Sequence, residues 1–172
     1  MDRRRRNLRT IIFLTQDYGG QVPESALMRR TSPEIHVTLR VLSHHLTPET
    51  VSAYLGISCD ESWRIGERRP TAKVGEMQNG WIISSRLPST GVEPKQHLRE
   101  LVTRPKPYAS KLRELARENE VFIMCFIYSD RQIILDFDPQ LIADIAGLGI
   151  GMGTEVYFLP EDDTSGGEVE ES

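Results

Sequence analysis

The sequence predicts an α+β domain, a mainly antiparallel sheet with helices packed on one face, related to the ferredoxin-like pattern. Three observations predict it. His36 to Leu42 alternates apolar and polar residues, Val121 to Tyr128 is apolar at every position, and short hairpin connections join several of the strand-like runs. The chain has 172 residues, 38% of them hydrophobic, enough for one domain with a sizeable core.

In chain order, His36-Val37-Thr38-Leu39-Arg40-Val41-Leu42 reads as a half-buried strand with Val37, Leu39 and Val41 facing inward. Thr47 then caps a short helix that opens on Pro48, buries Val51, Tyr54 and Leu55, and ends at Gly56. Ser62 to Lys73 is strand-like but broken by Gly66 and Pro70. Gly80 to Ser85 is the next strand, which pairs with it in a hairpin turning near Gly75 to Gly80. A Ser, Thr, Gly and Pro-rich loop at 86–93 leads to a helix with Leu98, Leu101 and Val102 on one face, stopped by Pro105 and Pro107. A further helix carries Tyr108, Leu112, Leu115 and Ala116, with Arg113, Glu114, Arg117 and Glu118 in solvent. Val121 to Tyr128 is a central strand, Ser129-Asp130-Arg131 a tight connection, Gln132 to Phe137 another strand, and Glu155 to Leu159 the last.

Residues 46–57 align without gaps on residues 137–148. Thr47 matches Asp138 as the cap, Pro48 matches Pro139, Gly56 matches Gly147, and Ile142, Ile145 and Ala146 supply the apolar face of the second unit. Two readings fit equally, an internal pseudo-repeat or two independent ways of starting and stopping a short helix.

Charge is unevenly placed. Residues 1–10 hold five Arg and one Asp, and residues 160–172 hold six acidic and no basic residues. The body keeps 16 basic against 18 acidic residues, which gives no footprint for a nucleic-acid partner. The division expected is a basic, poorly ordered extension at 1–34, one domain at 35–159 and an acidic disordered tail at 160–172. Met28 precedes the first strand, so residues 1–27 are read as an extension or the product of an upstream start. The run Ile11 to Leu14 is too short for a signal peptide and no span suits a membrane helix. Cys59 and Cys125 make no disulfide framework, and the expectation is two reduced thiols in a cytoplasmic protein.

Candidate chemistry is sparse. Gly147-Leu148-Gly149-Ile150-Gly151-Met152-Gly153 follows a helix C-terminus, whereas a phosphate cradle precedes a helix N-terminus, so a structural turn is expected. His44-His45 with Cys59, Asp60 and Glu61 lacks a recognised zinc spacing, and adjacent histidines in extended chain point apart. There is no Gly-x-Ser-x-Gly elbow, and Asp138, which neighbours Asp136, is accounted for as a cap. No catalytic residue, metal site or cofactor is therefore assigned. Trp63 and Trp81, in the hairpin, read first as core anchors and second as a ligand-stacking surface with Gly66. His36 and Arg40, on the polar face of the first strand with Thr38, complete the candidate binding set.

These elements resemble a bacterial family, domain-of-unknown-function family 4279. The likeness rests on Leu46-Thr47-Pro48-Glu49 with Leu55-Gly56-Ile57, Trp63-Arg64-Ile65-Gly66-Glu67, Gly80-Trp81 with Ser84-Ser85, and Leu148-Gly149 before Tyr157. It covers about residues 35–159. The resemblance implies a compact intracellular domain and brings no activity with it. The function expected from the sequence is a small binding or interaction domain, of immunity or regulatory type, that recognises a protein partner. The alternative is a small-ligand protein or enzyme with a pocket near the two tryptophans.

Overall fold

A computed structural model describes residues 33–68 and 74–158. The expected basic extension and acidic tail lie outside the described residues, apart from the start of the first strand. The fold is α+β, a five-stranded, mostly antiparallel sheet with four α-helices. The strands are β1 (Glu34–Ser43), β2 (Glu61–Trp63), β3 (Asn79–Ser84), β4 (Glu120–Ser129) and β5 (Gly151–Phe158). The helices are α1 (Pro48–Leu55), α2 (Pro94–Thr103), α3 (Ala109–Leu115) and α4 (Pro139–Leu148), with a 3-10 turn at Lys106–Tyr108 before α3.

The sheet order is β2-β3-β1-β4-β5. β1 lies between β3 and β4 and is antiparallel to both, and only β5 runs parallel to its neighbour, β4. A parallel neighbour needs a crossover, and α4 supplies it. All four helices contribute to one core: Ile35, Val37, Leu39 and Val41 of β1 meet Val51 and Leu55, Leu98 and Leu101, Leu112, and Leu141 and Leu148. Burial of each such side chain contributes about 1.5–3 kcal/mol, so this layer is what holds sheet to helices.

Local chemistry places the helix ends. Thr47 Oγ1 accepts from the Thr50 amide at 3.3 Å, Asp138 Oδ1 accepts from Leu141 at 3.1 Å, and a proline follows each cap. The Leu141 amide, more than any other neighbour, holds the Asp138 carboxyl below the usual carboxylate range, with the Arg99 guanidinium adding to it.

Three expectations are corrected here. The two helical units share a cap and a proline but diverge afterwards. α1 leaves through left-handed Gly56, whereas α4 continues through Gly147 and leaves through Gly149 at φ +69°. The inward face of α4 is Leu141, Ile145 and Leu148, and Ile142 is 54% exposed. The physical reason is two more residues of helix, which move the stop and turn the stripe. Residues 132–137 form no strand, because β5 occupies the place beside β4 and this segment is the lead into α4. The glycine string is not one turn: Gly147 is helical, Gly149 ends the helix, and Gly151 and Gly153 belong to β5, which begins well before Glu155.

The different standing of the two helix-end glycines is measurable. Gly147→Ala meets nothing within 4 Å and is expected to stabilise by about 0.5–1 kcal/mol, as Ala does over Gly inside a helix. Gly149→Ala should instead cost about 1–2 kcal/mol, because its left-handed backbone resists a Cβ. Denaturant melts of both variants check this, and the reverse ranking would restore the stop at Gly147.

Candidate functional site

Strand alternation sends every second residue away from the helices. On β4 those residues are Phe122, Met124, Phe126 and Tyr128, all half-buried, while Val121, Ile123, Cys125 and Ile127 enter the core. Register assembles the outer face in rows. Arg40 stands between Ile82 and Phe122, Thr38 between Ser84 and Met124, His36 beside Phe126, and Glu34 beside Tyr128. β5 extends these rows with Gly151, Gly153, Glu155 and Tyr157. No helix among the described residues packs on this face. A shallow trough of about 1160 Å³ follows it and runs past Ser84 and Ser85 to His97 at one end.

The face is organised by aromatic and ionic contacts. The Arg40 guanidinium lies 4.7 Å from the centre of the Phe126 ring, and its Nε donates to Thr38 Oγ1 at 3.0 Å. Tyr128 and Tyr157 stack at 4.9 Å with their planes 12° apart, and His36 meets Tyr128 edge-on at 6.2 Å. His36 Nε2 is 2.8 Å from Glu34 Oε1, and the Tyr157 hydroxyl donates to Glu155 at 2.6 Å. Burial foremost, then the bonded carboxylate of Glu155, pushes the Tyr157 phenol up. Burial and Glu155 raise Tyr128 as well, so both remain neutral donors at physiological pH. One glycine makes room on β5: a Cβ at Gly153 would stand 2.6 Å from the Met124 sulfur, which lies across the strand.

The structure separates the two tryptophans of the candidate set. Trp81 pairs with Ser62 on the helix side, is 1% exposed and donates from Nε1 to Ser52 Oγ of α1 at 2.9 Å. Trp63 pairs with Gly80 on the opposite side, where its ring covers that glycine and its Nε1 donates to the Gln78 carbonyl at 3.0 Å. They therefore share no pocket. Gly66 adopts φ +81° in the loop after β2, and its amide donates to the Glu76 carbonyl at 2.8 Å, a turn role. His36 and Arg40 do lie together on the helix-free face with Trp63 farther along it.

His97 was not singled out by its sequence. It is 1% exposed on the inward face of α2, with Nδ1 2.9 Å from Ser85 Oγ. Desolvation holds its imidazole below the ordinary histidine value, and nearby His36 adds to this. The signal available was position: His97 stands four residues before Leu101, in the apolar stripe. Arg104, on the same side, reaches the Ser84 carbonyl and Glu100, so this end of the trough is fixed by ion pairs.

Other reactive groups are engaged in the fold itself. Burial pushes the Cys125 thiol up to about 12, which leaves it an inert core residue. Asp138 and Asp60 are engaged, the first as a cap and the second accepting from the Ser84 amide at 2.7 Å. Among the described residues no three His, Cys, Asp or Glu side chains gather to hold a metal. Nor is any described helix long and apolar enough to cross a membrane.

A family model described as a domain of unknown function (DUF4279) matches residues 33–159. No curated protein and no solved structure gives a significant match.

Proposed function

The chain belongs to the DUF4279 family, and from that premise we propose that it is a binding domain of immunity or regulatory type that recognises a protein partner through the helix-free face of its sheet. One observation carries the reading. Four large side chains of β4, Phe122, Met124, Phe126 and Tyr128, stand on a face that no described helix covers, with Arg40 laid over one of them. Aromatic residues, Met and Arg are the residue types enriched in protein interfaces, and they bind most strongly when a partner excludes water from them. The trough is open and lined from all five strands, which suits a protein surface better than a small molecule.

Affinity capture with the full chain under mild salt, followed by titration of the recovered protein, tests this. Phe126→Ala and Arg40→Ala are each expected to weaken that complex tenfold or more while the melting temperature stays within a few degrees. Recovery of no specific partner, or variants that bind as tightly as the parent, would remove the reading. A ligand screen by thermal shift addresses the small-ligand alternative, since a compound that binds the native state must raise its apparent stability.

A further inference from the structure

The two edges of the sheet are unlike. β2 closes one side with three residues, two of them the exposed polar Glu61 and Ser62. β5 closes the other with eight residues, GMGTEVYF, that include neither lysine nor proline and a single charge, Glu155. Its outer side makes no main-chain hydrogen bond among the described residues. Val156, Tyr157 and Phe158 are exposed, Phe158 by 70%. Natural proteins shield such edges with charge, proline or brevity, because open main-chain groups recruit another strand. Here Glu155 is the single such device along eight residues.

We propose that β5 pairs antiparallel with β5 of a second copy, joining two sheets across a two-fold axis at Thr154. The strand's own sequence selects that occupant. In a continuous sheet, paired residues must lie on the same face, so the axis falls on a residue and not between two. Centred on Glu155, the register would oppose two carboxylates. Centred on Gly153, it would run Tyr157 against Gly149, which has left the strand in a left-handed conformation. Centred on Thr154, it uses residues 151–157 of both copies.

That register is self-complementary on both faces, as a two-fold interface requires. On the outer face Tyr157 covers Gly151 of the second copy, an aromatic-on-glycine pair, and Glu155 stands beside Gly153. Towards the helices Met152 meets Val156, and Phe158 reaches the segment holding Ile150. Charge agrees as well. The sequence after Phe158 holds six acidic and no basic residues between 160 and 172. In this register the position just past the partner of Phe158 is Gly149 of the second copy, across which Arg113 lies, and Arg117 is exposed in the turn after α3.

Sedimentation of the full chain over a concentration series should give twice the monomer mass. Thr154→Lys places two ammonium groups at the axis and should shift the protein to monomer while its circular dichroism is unchanged. Thr154→Cys tests the register itself. Facing residues of an antiparallel pair have Cα atoms about 4.5–5.5 Å apart, within disulfide reach, so mild oxidation should give a covalent dimer. Val156→Cys should not, because the two copies of that position stand four residues apart along the strands. A parent that is monomeric throughout overturns the proposal. So does a dimer that Thr154→Lys leaves intact, or one in which Val156→Cys crosslinks as readily as Thr154→Cys.

Discussion

Replacing Trp81 by alanine is expected to destabilise the fold by about 3–5 kcal/mol, the range for removing a large aromatic from a packed core. Trp81 stands where sheet and helices meet, within the cluster that also contains Val41, Val51 and Leu55. Its removal opens a void in that cluster and takes away the hydrogen bond to Ser52 on α1. A domain of this size is stable by only about 5–15 kcal/mol, so the variant should lose a large fraction of its stability. Trp81→Phe keeps most of the volume and should recover much of the loss. Chemical denaturation of the three proteins measures the series, and a loss under about 1 kcal/mol for the alanine variant would mean that the ring is not part of the core. Trp81→Ala is also a poor probe of binding, since it changes the fold first.

Gly80→Ala should be the other costly change, by about 1–3 kcal/mol, and for the opposite reason, overpacking. A Cβ at position 80 would lie 2.1 Å from two carbons of the Trp63 indole. The indole is rigid and tied through Nε1 to the Gln78 carbonyl, so it must lift from the strand to make room. In a Trp63→Ala background the same glycine substitution should cost little. The two changes are therefore strongly non-additive, and a double-mutant cycle by denaturant melts reads the coupling directly. Equal cost in both backgrounds would show that the indole is not what excludes a side chain from position 80.

Much of this architecture is legible in the sequence where local chemistry and global packing agree. The alternation of β1 and the Thr47-Pro48 and Asp138-Pro139 starts are of this kind, and each is found in place. Residues 132–137 mislead because Ile133, Ile134, Leu135 and Phe137 satisfy a strand pattern, yet only Ile133 and Phe137 pack on the core and Ile134 is 82% exposed. Whether such a run pairs depends on which segment takes the free edge of β4, a long-range competition that no local window reports. β5 is hidden for the converse reason: Gly151 and Gly153 lower its strand propensity, and the value of Gly153 lies in leaving room for Met124. Of the candidate site, His36 and Arg40 follow from alternation. The opposite facing of Trp63 and Trp81 depends on the register of β2 against β3, which no local window reports.

β1 starts where β5 ends. Glu34 pairs with Tyr128 and Tyr128 with Tyr157, so the chain enters and leaves the sheet at the same end, two strand spacings or about 10 Å apart. A handful of residues would join those points without disturbing a strand. Topologically the domain is a nearly closed ring. It can be opened at a surface loop and sealed at its ends, or carried whole as an insertion within a larger chain, without any change to its core.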